Sequence, residues 1–326
     1  MKLLESIGFY IHPDNSIPLL LPQLENSIIG AIAFKIGSLR ALQGIINGSE
    51  ESKVALQIPL IIESLTNVDL MQNESMLILK EVSSCVLSVL RKFNSRSVTD
   101  NYGLFMALVN LQSAPGNEKV PGFTELQINT GCSMTILASR FDQSVYAVYM
   151  TSVLELFGKS VDTWTSHSVD PRVFETCVLN LGDNFGEFLK ECIPIFRSLS
   201  KSSYPDLQIR LFSILLQIFS TADFDYKSID DSDCFMEFAL RNNIWKAGEK
   251  FTRIRSLATD LFKVLLQNGA FSTTQIRLVF KEAIFPVFLS NLDDDPLQTR
   301  RSTLQVFQLL FGADSIWEGT FNVLIV

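Results

Sequence analysis

The chain has 326 residues, of which 47% are hydrophobic and 19% are charged, and its formal net charge is −8. This apolar, weakly charged composition excludes a long disordered protein, and the acidic balance disfavours a nucleic-acid partner, because a duplex-binding surface needs clustered Lys and Arg. The five cysteines are never closer than 15 residues apart (192 − 177 = 15), which excludes a dense disulfide framework and a CxxC zinc site.

The start of the chain lacks the features of an export signal. Glu5 and Gly8 interrupt the stretch where a signal peptide has an unbroken apolar core. No run in the sequence reaches the roughly 20 consecutive apolar residues that a membrane-spanning helix needs. The sequence therefore predicts a soluble, cytoplasmic protein with no membrane partner.

Helical periodicity begins near the N-terminus and continues through the first half. Apolar residues from Ile28 to Ile46 recur at helical spacing, and Asn47-Gly48-Ser49 ends that helix. The stretch from Gly158 to Pro171 is rich in Ser, Thr and Asp and is predicted to be the longest loop. Between them the pattern predicts helices over 50–65, 73–93, 102–111, 122–138 and 144–156.

The second half continues in the same way, and its most informative stretch runs from Ile284 to Leu310. Two amphipathic helices are predicted there, separated by three acidic residues, with Asp295 as N-cap and Pro296 at the first helical position. No segment shows sustained β alternation, so the predicted fold class is all-α. The helices of this half are predicted at 171–181, 185–198, 205–219, 232–245, 250–266, 273–292 and 296–311.

An internal repeat connects these helices. Arg210, Arg255 and Arg300 are equally spaced, since 255 − 210 = 45 and 300 − 255 = 45. Apolar residues stand six, seven, nine and ten places after Arg255 and again after Arg300, whereas the copy at Arg210 is looser. A period in the mid-forties with one helix pair per unit is typical of HEAT or armadillo repeats. The sequence therefore predicts an α-solenoid of stacked antiparallel helix pairs.

The ends of the chain bear on its domain organisation. A solenoid needs polar terminal repeats, because an exposed stacking face is a large apolar patch. The sequence near Met1 and the segment from Gly319 to Val326 are too apolar for such caps. We therefore expect residues 1–312 to be one HEAT-like array, a fragment of a longer one, followed by an atypical C-terminal tail over 313–326.

The residue types that carry catalysis or bind metals are not grouped in the sequence. His12 and His167 are far apart, and neither has a Cys, Asp or Glu at metal-ligand spacing on a shared predicted helix. The three aspartates at 293–295 are expected to cap a helix and face water. No phosphate loop or nucleophile motif occurs. The cysteines are predicted to be buried structural thiols. The expectation is a protein without enzymatic activity, cofactor or metal.

The repeated arginines allow two interpretations. They could form a ladder that reaches for an acidic partner, or each could pair with a carboxylate in a turn of its own or the adjacent repeat. For Arg210 the expected partner is Asp206, four residues earlier on the same helix. The predicted structural repeat positions are Arg210, Arg255, Arg300, Asp295, Pro296, Trp245 and Gly248.

Three stretches resemble, in order and spacing, the C-terminal half of the dynein axonemal assembly factor 5 family of HEAT-repeat proteins. They are WTSHS from Trp164, WKAG from Trp245 followed by Arg255, and LDDD from Leu292 followed by Arg300. The resemblance implies a non-enzymatic scaffold in the cytoplasmic preassembly of axonemal dynein arms. It also implies dynein intermediate or heavy chains and chaperone machinery as partners. From the repeats alone, a transport receptor or a phosphatase regulatory subunit is the alternative.

Overall fold

The computed structural model describes residues 12–24, 31–71, 75–93, 101–221, 232–294 and 296–312. Most of these residues are helical and none is in a strand, which confirms the all-α class. The chain divides into two compact units, residues 1–149 and 150–326. The single array predicted for 1–312 stays a prediction, and the predicted tail at 313–326 lies outside the described residues.

The first unit is built from helix pairs. Helices α1, α4 and α7 come first in their pairs, and α2, α6 and α8 come second and pack side by side in a separate layer. The two helices of each pair also pack against each other. The helices are α1 (Pro13–Leu24), α2 (Ala31–Gly48), α3 (Glu51–Val54), α4 (Ile58–Leu65), α5 (Val68–Met71), α6 (Met76–Lys92), α7 (Asn101–Gln112) and α8 (Phe123–Ala138). Helix α9 (Val145–Ser160) begins in this unit.

The second unit repeats the same arrangement. Its first helices α11, α13 and α16 pack in one layer, and its second helices α10, α12, α14 and α17 pack in another. Each unit is therefore a stack of helix pairs of the α-solenoid type. The helices are α10 (Asp170–Leu179), α11 (Phe185–Lys201), α12 (Pro205–Phe219), α13 (Ser232–Asn243), α14 (Glu249–Gln267), α15 (Thr273–Val279), α16 (Phe285–Asn291) and α17 (Leu297–Gly312).

The buried faces of three second helices show how the repeats align. Four buried positions of α14, at 254, 258, 261 and 265, recur 45 residues later in α17 (254 + 45 = 299) and 47 residues earlier in α12 (254 − 47 = 207). Gln208, and not Arg210, therefore corresponds to the buried Arg255 (255 − 47 = 208). The equal spacing of Arg210 and Arg255 does not mark equivalent positions, because the two repeats differ in length by two residues.

Helix 273–292, predicted as one continuous element, is interrupted by a π-helical turn over Phe280–Ile284. Pro286 follows that turn and lies in the first turn of α16. Proline lacks an N–H group and its ring crowds the carbonyl four residues earlier, so an α-helix cannot pass through it undistorted. The wider turn accommodates Pro286 and lets the chain continue in the same direction.

The predicted loop from Gly158 to Pro171 is shorter in the structure. Helix α9 continues to Ser160, and a 3-10 turn covers Val161–Thr163. Trp164 is buried, with its ring centroid 5.4 Å from that of Phe157 and 6.0 Å from that of Phe174. The sequence pattern missed this because one tryptophan among polar residues produces no periodicity, although it anchors the whole connection.

Candidate protein-binding surface

In the first unit, the layer of second helices carries a ladder of alternating charges. Arg40 of α2 donates from Nη2 to Glu81 of α6 over 2.8 Å and from Nε over 3.0 Å. The Lys80 ammonium lies 3.8 Å from the same carboxylate and pairs with Glu125 of α8. Glu81 is buried, while Arg40 and Glu125 are exposed at the two ends of the ladder. The ladder therefore links three consecutive repeats and presents one charge of each sign to solvent.

Neutral hydrogen bonds accompany this ladder. Gln43 of α2 donates to the carbonyl of Ser84 at 3.4 Å and to the hydroxyl of Ser88 at 3.3 Å on α6. Asn129 of α8 donates to the hydroxyls of Ser84 at 2.9 Å and Ser83 at 3.3 Å. These amides lie on helices one repeat apart, so they fix the spacing between neighbouring repeats.

Ion pairs between repeats also occur in the second unit. Arg210 of α12 pairs with Glu175 of α10, and Asp206 pairs with Lys250 of α14 at 2.7 Å. The predicted pairing of Asp206 with Arg210 within one helix is therefore wrong. Each of these two side chains instead binds the neighbouring second helix on its own side. Burial lowers the pKa of the Arg210 guanidinium, and the nearby Arg172 adds to that effect.

Arg255 is buried at 2% exposure and makes the most enclosed ion pair among the described residues. It donates from Nε and Nη2 to the two carboxylate oxygens of Asp294, at 2.7 and 2.5 Å. Its Nη1 donates to the carbonyl of Lys246 at 2.8 Å. One guanidinium thus ties the turn before α14 to the turn before α17, so Arg255 contacts a turn carboxylate of the adjacent repeat.

The start of α17 differs from the prediction. Arg300 is exposed, unlike Arg255. The helix begins at Leu297, and the backbone N–H of Arg300 donates to the carbonyl of Pro296 at 3.3 Å. Pro296 was predicted to be the first helical residue. In the structure it lies one position before the helix. Asp295, the predicted N-cap, lies outside the described residues.

A buried polar cluster joins three helices of the second unit, and sequence reasoning missed it. The amide oxygen of Asn243 accepts from the hydroxyl of Thr259 at 2.7 Å and from the Asn291 amide at 2.8 Å. All three side chains are buried. One feature of the sequence could have indicated this cluster. Two successive first helices each end in an asparagine, and the two asparagines are 48 residues apart (291 − 243 = 48). The cluster satisfies its polar groups internally and fixes the register of α13, α14 and α16.

The turn between α13 and α14 exposes a pair of large apolar side chains. Trp245 is 64% exposed, and Ile244 beside it is 55% exposed. The Lys246 ammonium lies 5.4 Å from the ring centroid of Phe251, a cation–π contact that places a positive charge next to the tryptophan. Gly248 precedes α14 with φ of 114°, a conformation that other residues rarely adopt. The WKAG segment is thus a shaped turn that exposes its indole.

Groups that could perform chemistry are few in the described part of the chain. Four of the cysteines are buried, and burial raises the pKa of the Cys177 thiol to about 12, so that thiol is protonated at neutral pH. Cys132 is exposed, which corrects the prediction that it is buried.

The residues that the structure describes contain no group of three or more His, Cys, Asp or Glu side chains able to hold a metal ion. Among the described helices, none combines the length and apolar character needed to span a bilayer.

Stacked helix pairs whose second helices are joined by ion pairs and hydrogen bonds define a helical-repeat protein of the α-solenoid type. A family model of the dynein axonemal assembly factor 5 HEAT-repeat domain matches residues 2–115. Over 307 residues the chain is 22% identical to dynein axonemal assembly factor 5 of Xenopus laevis, an alignment covering 92% of this chain and 36% of that protein. These matches confirm the resemblance to this HEAT-repeat family. The chain spans about a third of the relative's length.

Two crystal structures of engineered proteins are also similar to this chain. The first has a TM-score of 0.41 and 13% identity and covers 90% of this chain and 97% of the engineered one. The second has a TM-score of 0.42 and 14% identity and covers 94% of this chain and 81% of the engineered one.

Proposed function

We propose that this chain is part of a non-enzymatic HEAT-repeat scaffold that acts in the cytoplasmic preassembly of axonemal dynein arms. The observation that carries the proposal is the similarity to dynein axonemal assembly factor 5 across 92% of the chain. The proposed partners are dynein intermediate or heavy chains and chaperone machinery. The comparisons do not favour the alternative of a transport receptor or a phosphatase regulatory subunit.

The geometry suits the holding of a protein client. Arg40 and Glu125 are exposed on a face whose helices are fixed by the ladder, so a client can pair with both charges without reshaping that face. Exposed ion pairs of this kind contribute only about 0.2–1 kcal/mol each. Such contacts are suited to a chaperone-like factor that must later release its client.

Trp245 is the residue that we propose as the principal apolar contact with the client. An indole exposed to 64% makes few contacts within the protein, so its removal should change folding little. Trp is enriched among the few interface residues that carry most of the binding free energy.

The proposal predicts a specific loss of binding for Trp245→Ala. The tagged full-length protein, purified from ciliated cells, should retain dynein intermediate and heavy chains, and Trp245→Ala should reduce their recovery by roughly tenfold or more, with an unchanged thermal midpoint. Leu278→Ala is the matched control, since Leu278 is 74% exposed in the same unit, and it should leave recovery unchanged.

The two possible failures of this experiment are distinguishable. If the wild-type protein retains no dynein chain, the assembly function is contradicted. If Trp245→Ala and Leu278→Ala behave alike while the wild-type protein retains dynein, the function stands but Trp245 is not the contact. Quantitative mass spectrometry of the retained proteins measures both outcomes.

A further inference from the structure

An open cleft lies beside the turn between α8 and α9 in the first unit. Its volume is about 700 Å³, large enough to admit several side chains of another protein. Residues from the start of α7, the end of α8 and the start of α9 surround it. They are Asn101, Arg140, Phe141, Asp142, Gln143 and Val148.

The basic group of this cleft is Arg140, which is only 7% exposed. Its Nη1 donates to the Asn101 side-chain oxygen at 2.7 Å and its Nη2 to the carbonyl of Phe93 at 2.8 Å. Both acceptors are neutral, and Nε is buried without an acceptor. No carboxylate of the described residues lies within ion-pair distance of this guanidinium, in contrast to Arg255, whose burial is matched by Asp294.

Part of the role of Arg140 is structural. Phe93 caps the C-terminus of α6, and Lys92 serves the preceding repeat in the same way, donating to the carbonyls of Ile46 and Ser49 at the end of α2. A cation at a helix C-terminus is favourable because of the helix dipole. The cap and the hydrogen bond to Asn101 together account for two of the five N–H groups of Arg140. No carboxylate in the described part of the chain balances the positive charge, which lies at the wall of an open cleft.

The N-terminal end of helix α9 adds a partial positive charge beside the cleft. Its first turn begins at Val145 and contains no acidic residue, and Val148 of that turn lines the cleft. Burial lowers the pKa of Arg140, as expected for a charge that lacks a compensating partner. Asp142 also lines the cleft, but it is exposed and not within ion-pair distance of Arg140.

We propose that this cleft binds one acidic side chain, an Asp or Glu carboxylate, from a protein client, an inference that rests on the proposed scaffold function. A guanidinium presents N–H groups in a planar fork that matches a carboxylate. The cleft holds a single arginine, which suits a singly charged carboxylate, whereas phosphorylated segments are recognised by arginine clusters. The apolar Phe141 and Val148 provide contact for the methylene groups of such a side chain.

The test is the thermal unfolding midpoint of the purified protein, measured against hexaglutamate, hexaglutamine and inorganic phosphate at constant ionic strength. A ligand that binds only the folded state raises the midpoint in a saturable way. We expect hexaglutamate to do so, hexaglutamine to have no effect, and phosphate to have a smaller effect than hexaglutamate.

Two variants locate the binding. Gln143→Glu places a carboxylate at the rim of the cleft without touching the α6 cap, so it should weaken hexaglutamate binding by about tenfold or more. Gln298→Glu makes the same chemical change on an exposed position of α17 and should leave binding unchanged. Arg140→Gln should also abolish the response, but it removes the cap, so Gln143→Glu is the decisive variant.

Three results would overturn the proposal: no hexaglutamate-dependent rise in the wild-type protein, an equal rise in Gln143→Glu, or a larger rise with phosphate. The last would identify a phosphate site. The peptide assay does not involve dynein. A failure of the assembly function therefore appears in the dynein pull-down, and a failure of the carboxylate site appears in this assay.

Discussion

Asp294→Asn is expected to lower the free energy of unfolding by about 3–5 kcal/mol, the usual effect of removing one partner of a buried ion pair. The neutral amide is nearly isosteric, so packing is preserved. However, the Arg255 guanidinium is then left as an uncompensated charge at 2% exposure. The turns before α14 and α17 also lose the link between them. Denaturant unfolding followed by circular dichroism measures the change.

A neighbouring position provides the control for this prediction. Asp293→Asn removes the same charge from an exposed side chain in the same turn, and it should change stability by no more than about 0.5 kcal/mol. The double variant Arg255→Met with Asp294→Leu should regain most of the loss, because it removes both charges from the interior. Equal effects of Asp294→Asn and Asp293→Asn would show that the ion pair contributes little.

Leu261→Asp is expected to have an effect at least as large. Leu261 is fully buried in α14, the helix that packs against α12, α13 and α17. Truncating a buried leucine alone costs about 3–5 kcal/mol, and an unpaired carboxylate in the same space adds a desolvation cost. The expected loss is therefore about 5 kcal/mol or more, measured as a fall in the denaturant midpoint.

Two other substitutions show whether burial sets this effect. The sequence pattern placed Phe307 at a position as buried as Leu261, but in the structure Phe307 is only half-buried. Phe307→Asp should therefore lower the free energy of unfolding by less than Leu261→Asp does. Leu278→Asp, at an exposed position in α15, should lie within about 0.5 kcal/mol of the wild type. A similar loss for all three variants would contradict the assignment of the α14 face as the centre of the stack.

Helix positions were largely predictable because burial in a helical stack follows a 3.6-residue period. The prediction of a helix over 122–138 is close to the observed α8, Phe123–Ala138. The pairing of α14 with α17 was also accessible, since their buried positions are 45 residues apart. In both cases one local pattern contains the information that decides the structure.

The partners of the charged residues were not predictable to the same degree. A pair such as Arg210 with Glu175 depends on the lateral offset between two helices 35 residues apart in sequence, and repeat lengths that vary by two residues change that offset. The hydrogen bonds of Arg140 to neutral acceptors also depend on packing between repeats. The same holds for the exposure of Trp245. The roles of Arg300, Pro296 and Gly248 as structural repeat positions of this chain stay predictions.

The most direct test of the proposed assembly function is electron microscopy of axonemes from ciliated or flagellated cells depleted of the full-length protein. We expect cilia to be present but immotile, with dynein arms missing from the axonemes and dynein chains reduced in the cytoplasm. Re-expression of the full-length protein should restore arms and motility. Axonemes with normal dynein arms and full motility after depletion would contradict the account.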